Sequence, residues 1–162
     1  MNKAIFLDRD GVLFDNSEHY YIWKSDQLKI VDGTVENLKM LIQKGFQLFI
    51  ISNQGGISRG LYSKNDIEKL HEELIQTFRK NDIEITEISF CPHHPEIEKC
   101  LCRKPDSLMI EKLMAKYKIS KTDSYLIGDS KSDMDAAEKI GIQGIKIIPN
   151  QNMFPYLSFL NK

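Results

Sequence analysis

A chain of 162 residues with 41% hydrophobic side chains has enough material for one domain and one core. Its formal net charge of −1 offers no general attraction for nucleic acid or an anionic membrane, so any bound anion needs a local site. The apolar run before Asp8 is too short for a signal-peptide core, and no stretch reaches the roughly 20 apolar residues of a membrane span; the sequence points to a cytoplasmic protein without a membrane partner.

Residues 3–7 are apolar and run into acids, as a buried strand entering a loop does. Residues 34–44 carry Val35, Leu38, Leu41 and Ile42 on one helical face, with Gly45 suited to the helix end. A second buried strand is expected over 46–51. Ser63 is placed to cap a helix over 64–80, with Ile67, Leu70, Leu74, Ile75 and Phe78 facing inward and His71 on the polar side. A third strand over 87–90 leads into 91–105, a stretch without periodicity that contains Pro92, Pro95 and Pro105 and reads as a loop. A helix over 107–117, a strand over 124–127, a helix over 132–140 and a strand over 144–148 complete the pattern, and the tail after Pro149 carries no clear signal.

Strands alternating with helices predict an α/β fold: a Rossmann-like three-layer α/β/α sandwich with a mainly parallel sheet, one domain over 1–162. The connections after the first and third strands are too short for a large cap domain. Ligands of such sheets bind beyond the carboxyl ends of the strands. Asp8, Asp10, Ser52, Asn53, the cysteine-containing loop and Asp129 all fall on that rim.

These residue types suit a phosphoryl group, which needs cations and hydrogen-bond donors around its charged oxygens. Ser52 offers a hydroxyl, the following loop offers backbone amides, and Arg103 and Lys104 offer charge. Asp8 and Asp129 can serve a hard, oxygen-ligated cation. In their order, Asp8-Arg9-Asp10-Gly11, Ser52 after a strand, Lys104, and Gly128-Asp129 with Asp133 resemble the four motifs of the haloacid dehalogenase superfamily. The resemblance implies a magnesium-dependent phosphatase in which Asp8 attacks phosphorus and is transiently phosphorylated. It implies magnesium on Asp8, the Asp10 backbone carbonyl and Asp129. By the same resemblance, Asp10 is expected to protonate the leaving oxygen and then activate water. Ser52 and Lys104 are expected to hold the transferring oxygens, and Asp133 to orient a water of the magnesium shell.

Cys91, His93, Cys100 and Cys102 form a C-x-H…C-x-C set that includes every cysteine of the chain. Three thiolates and one imidazole close a tetrahedral structural zinc site, and such a site orders the loop and aims Arg103 and Lys104. Spacing alone admits His94 in place of His93; the family resemblance selects His93. The loop paired with the Asp8-Arg9-Asp10 start resembles two branches, the D-glycero-D-manno-heptose-1,7-bisphosphate phosphatases and the histidinol-phosphate phosphatases. Asn53-Gln54 followed by Arg59-Gly60, and His19-Tyr20-Tyr21-Ile22, favour the heptose branch. That branch implies a small phosphorylated sugar as substrate, contacted by Asn53, Gln54, Arg59, Arg103 and Tyr21, and a monomeric enzyme. Val12 stands where the family usually has Thr. Polynucleotide 3′-phosphatases share the start and the 53–60 pattern but lack the cysteines, and a non-catalytic phosphate-binding scaffold has no need of Asp8.

Overall fold

Each strand expected from the sequence is present in the computed structural model, which describes residues 1–161; Lys162, the last residue of the expected domain, lies outside the described residues. The strands are β1 Ala4–Asp8, β2 Gln47–Asn53, β3 Glu87–Cys91, β4 Tyr125–Gly128 and β5 Gln143–Lys146. All pairs are parallel and the order across the sheet is β3-β2-β1-β4-β5. Between them run α1 Thr34–Gln43, α2 Lys64–Arg79, α3 Leu108–Tyr117 and α4 Lys131–Ile140.

Strand alternation explains the three layers. Ile5 and Leu7 of β1, with Leu48 and Ile50 of β2, face α1 and α2 and pack on Leu38, Leu41, Ile67, Leu74 and Phe78. Ala4, Phe6, Phe49 and Ile51 point the other way, onto Ile110 and Leu113 of α3 and Ala136 and Ala137 of α4. Phe6 and Phe49 stack across the two strands at 5.3 Å. Covered on both faces, the central strands need continuous apolar runs, as the sequence shows.

Three strands differ in length from what the sequence indicates, β3 by the single residue Cys91. β2 extends to Asn53 because Ser52 and Asn53 still pair with Phe90 and Cys91. β5 stops at Lys146 instead of Ile148, and Pro149, which has no N–H, cannot continue a ladder. The tail after Pro149, which carries no clear sequence signal, packs back on the domain. Met153 and Leu157 are buried, the Asn150 N–H donates to the Gly11 carbonyl, and Asn37 Nδ2 donates to Asn152 Oδ1.

The chain advances from β1 outward to β2 and β3, then crosses back to β4 on the other side of β1. The crevice for a ligand lies at that reversal, beyond the carboxyl ends of the strands. The only regular element between β1 and α1 is a 3-10 turn, Ser25–Gln27, so no cap domain stands there. Among the described residues no helix is long and apolar enough to cross a membrane.

Candidate active site

Asp8 closes β1 at the centre of the sheet. Its Oδ1 accepts from the Arg9 N–H at 2.9 Å and from Lys104 Nζ at 2.8 Å. Lys104 arrives from the loop after β3 and is only 3% exposed; its Nζ also donates to Asp133 Oδ1 at 2.6 Å. Asn53 fixes the lysine's main chain: Nδ2 donates to the Lys104 carbonyl and Oδ1 accepts the Lys104 N–H, each at 3.0 Å. Asn53 thus borders the cleft, but its amide is engaged with Lys104 rather than presented to a substrate.

Asp133 is fully buried, with Oδ1 on Lys104 and Oδ2 accepting from the Ser130 N–H at 3.1 Å and the Ser130 hydroxyl at 2.7 Å. Through these bonds it anchors Lys104 to the start of α4. The close fit explains Gly128, where an added Cβ would lie 2.4 Å from the Asp133 carboxyl. Gly11 has φ +84°, and a Cβ there would meet an Asp129 oxygen at 2.3 Å.

Donor oxygens of Asp8, Asp129 and Asp133 lie within 4.8 Å of one another. Burial pushes Asp8 well above the usual carboxylate range, Lys104 partly offsets this, and Asp133 and Asp10 add to the rise. Burial and then Asp133 likewise raise Asp129. Burial alone would lower Lys104, but Asp8 and Asp133 more than offset it and hold the ammonium above its ordinary value. Crowded, partly buried carboxylate oxygens beside a cleft fit a hard divalent cation.

Asp10 is held differently. Arg9, fully buried, grips it with Nε on Oδ1 at 2.8 Å and Nη2 on Oδ2 at 2.9 Å. Arg9 also donates to the Ile22 carbonyl and, through Nη1, to His71 Nε2 at 3.1 Å. Gln54 Nε2 donates to Asp10 Oδ2 at 3.2 Å and to Ser52 Oγ at 2.7 Å, and the Tyr62 hydroxyl donates to Gln54 Oε1 at 2.7 Å. Gln54, expected at the substrate, is 0% exposed and cannot touch one; it braces Asp10 and Ser52 from behind. With its oxygen accepting from Gln54, Ser52 retains its O–H to donate into the cleft it lines.

His71, expected on the solvated side of α2, is 6% exposed and faces Arg9. Burial, then the Arg9 charge, pushes its pKa down from 6.5 to about 3, so it is neutral and accepts the arginine N–H. A folded value below the unfolded one gives stability present above about pH 6.5 and lost as pH falls. Between about pH 7 and about pH 5, His71 should therefore cost about 2 kcal/mol. Urea midpoints at the two pH values should show a correspondingly flatter dependence for His71→Gln.

The cleft over Asp8 is walled by Tyr20, Tyr21, Asn16, Arg103 and Ser132. Arg103 is fixed by Nη1 on the His93 carbonyl at 3.0 Å. Arg59, expected to contact substrate, is not among the residues that line this cleft and pairs with Glu96 at 3.0 Å. Lys131 stays at the surface, paired with Asp135.

Cys91, His93, Cys100 and Cys102 converge. Cys91 Sγ lies 3.1 Å from Cys102 Sγ, 3.6 Å from Cys100 Sγ and 3.4 Å from His93 Nδ1, which is 3.2 Å from Cys102 Sγ. Tetrahedral zinc with Zn–S near 2.3 Å sets its sulfurs about 3.8 Å apart, so small outward shifts admit the ion. His93 Nε2 meets Glu98 Oε1 at 3.0 Å, the arrangement that leaves Nδ1 free for a metal. His94 is turned away, its N–H on Ser58 Oγ at 2.7 Å.

Arg9, His71 and Tyr62 join the site only in the structure. Helical spacing from Ile67 to Leu74 puts His71 on the buried face of α2, where it meets the Arg9 guanidinium just beyond the end of β1.

The family model described as haloacid dehalogenase-like hydrolase matches residues 8–147. The D-glycero-beta-D-manno-heptose-1,7-bisphosphate 7-phosphatase of Haemophilus influenzae is 38% identical over 141 residues, covering 84% of this chain and 76% of its own length. The histidine biosynthesis bifunctional protein of Legionella pneumophila is 32% identical, covering 91% of this chain but 42% of its own length. The crystal structure of D,D-heptose 1,7-bisphosphate phosphatase from B. bronchiseptica, complexed with magnesium and phosphate, has a TM-score of 0.84 at 26% identity, covering 97% of this chain and 86% of that one. The match begins at the aspartate that ends β1 and runs past the Asp133 anchor into the last strand, and the chain belongs to the haloacid dehalogenase-like hydrolases.

Proposed function

We propose that this chain is a phosphatase that removes the 7-phosphate of D-glycero-D-manno-heptose 1,7-bisphosphate through an aspartyl-phosphate on Asp8. The observation that carries this reading is the pairing at one cleft of Asp8, one oxygen pinned by Lys104, with Asp10, pinned by Arg9. Of two neighbouring carboxylates, one is thereby presented as a nucleophile and the other set for proton transfer. The substrate rests on what the similar proteins are named for.

Asp8 attacks phosphorus, an Asp8 oxygen–phosphorus bond forms, and the bond from phosphorus to the sugar oxygen breaks. Asp10 delivers its proton to that oxygen as it leaves. Asp10 then takes a proton from water as the water oxygen bonds to phosphorus and the Asp8 carboxylate is released. Ser52 and Lys104 hold the phosphoryl oxygens, and Arg103, at the cleft wall, can receive a remote phosphate or hydroxyl as a fork. Asp8, Asp129 and the Asp10 carbonyl are the groups that would hold magnesium, which supplies positive charge against the repulsion between carboxylate and phosphate. On this reading the enzyme is a cytoplasmic monomer acting on a small molecule, with no nucleic-acid partner.

The test is phosphate release from both anomers of heptose 1,7-bisphosphate and from histidinol phosphate, with magnesium. The expected result is turnover of a heptose anomer well above that of histidinol phosphate. The similarity to the histidine-biosynthesis protein makes the reverse preference the competing outcome, which would overturn the substrate and leave the chemistry standing.

Cys91, His93, Cys100 and Cys102 are read as a structural zinc site, closed to water by its four ligands. Metal analysis of purified protein should find zinc. Its removal by a chelator should lower activity, since Arg103 and Lys104 follow Cys102 directly, without changing the magnesium concentration at half-maximal rate.

A further inference from the structure

Asp10 is gripped from two sides, and each gripping group is itself held by a residue remote from the cleft. On one side the Arg9 guanidinium is a planar fork, so its edge facing Asp10 is oriented only if its other nitrogens are fixed. His71 fixes Nη1, and the Ile22 carbonyl shares Nη2 with Asp10. The histidine can do so only as a neutral acceptor, the state its burial imposes. On the other side, the Gln54 amide would present an acceptor to Asp10 if it were flipped, and the two oxygens would repel. The Asp10 carboxylate, which can only accept, selects the orientation with Nε2 toward it and Ser52, and the Tyr62 hydroxyl holds the amide there by donating to Oε1. Burial pushes the Tyr62 pKa up, so the phenol keeps the proton that this bond needs.

Neither residue serves only to fill space. The Tyr62 ring stacks on Trp23 at 5.6 Å and meets Tyr21 edge-on at 5.7 Å, so the segment that walls the cleft leans on one arm. Through Ile22 the same segment supplies an acceptor to the other.

We propose that His71 and Tyr62 are positioning residues for proton transfer at Asp10, His71 acting through Arg9 and Tyr62 through Gln54. This rests on the reading of Asp10 as the proton donor to the leaving oxygen. A loosened Asp10 should matter in proportion to how much the leaving oxygen needs a proton. An alkoxide from a sugar phosphate needs one, whereas p-nitrophenolate leaves readily without one.

The experiment compares kcat/KM, which reports the step that expels the leaving group, on heptose 1,7-bisphosphate and on p-nitrophenyl phosphate. His71→Leu and Tyr62→Phe are each expected to lose about tenfold or more on the sugar phosphate and less than about threefold on the aryl ester, a part of what a general acid contributes. His71→Gln, which returns an acceptor near Nε2, should recover most of the loss. Tyr62→Phe keeps the ring and its stacking, so it tests the proposal even if His71→Leu folds poorly. Equal losses on the two esters, or none, from both variants would overturn the proposal. Asp10→Asn separates the levels: it should show the same selectivity, more strongly. Selective loss in Asp10→Asn but not in the other two sinks this inference alone, and uniform loss in Asp10→Asn sinks the reading of Asp10 beneath it.

Discussion

Asp8→Asn is expected to abolish phosphate release while leaving the fold intact. The amide has the volume of the carboxylate and can still accept from Lys104 and the Arg9 N–H, so the end of β1 keeps its bonds. On the proposed mechanism, what disappears is the anionic oxygen that would bond to phosphorus. Turnover should fall by about four orders of magnitude or more, the scale seen when a covalent nucleophile is removed. The folded protein should not suffer, because burial disfavours the Asp8 charge. The sign follows from that: a carboxyl raised above 3.8 on folding contributes stability present below 3.8 and lost as pH rises through the folded value. Metal-free Asp8→Asn should therefore lose less stability than the wild type between acid and neutral pH. Malachite-green phosphate release and urea unfolding measure both halves, and near-wild-type turnover would end the aspartyl-phosphate mechanism.

Lys104→Met should damage stability and activity together. The lysine is the buried cation between Asp8 and Asp133, and without it two carboxylates face each other near an unoffset charge. Removing one partner of a buried ion pair costs about 3–5 kcal/mol, and that range is expected for the metal-free variant at neutral pH. Part should return as pH falls and the carboxyls take up protons. Adding Asp133→Asn, which keeps an acceptor for the Ser130 N–H, should restore stability further. On the proposed mechanism, activity should stay lost in both variants, because no ammonium would remain to hold the phosphoryl oxygens. If the double variant regained turnover, Lys104 would be structural only.

Much of this could be read from residue order because it depends on periodicity and strand ends. The apolar runs at Ala4–Leu7 and Leu48–Ile51 have the composition that two covered faces demand, and polar residues at their carboxyl ends can only stand on the rim. The cysteine cluster was legible for a different reason: four candidate ligands within a dozen positions carry their own geometry. What stayed hidden was the orientation of polar side chains that the fold pulls inward. Gln54 follows Asn53 in a motif that reads as substrate-facing, yet its amide bridges Asp10, Ser52 and Tyr62. His71 lies four residues after Ile67 and three before Leu74, so helical spacing puts it on the buried face of α2, but its charged sequence neighbours disguise that. Asp133 is indistinguishable in sequence from a solvated helix-start acid until Lys104 is seen to reach it across 29 positions.

The bond from Arg9 to the Ile22 carbonyl has a bearing on how this enzyme can be redesigned. A laboratory library that randomises the cleft wall to admit new substrates would naturally vary positions 19–23. The exposed side chain of Tyr20 can change in such a library, and Tyr21 as far as its packing on Tyr62 survives, but the path of the main chain at Ile22 cannot, because a carbonyl displaced there releases the arginine. Insertions or deletions in the segment should thus be nearly absent from active clones, while point changes are common. Retargeting the pocket and preserving its chemistry are, in this fold, constraints on the same few peptide units.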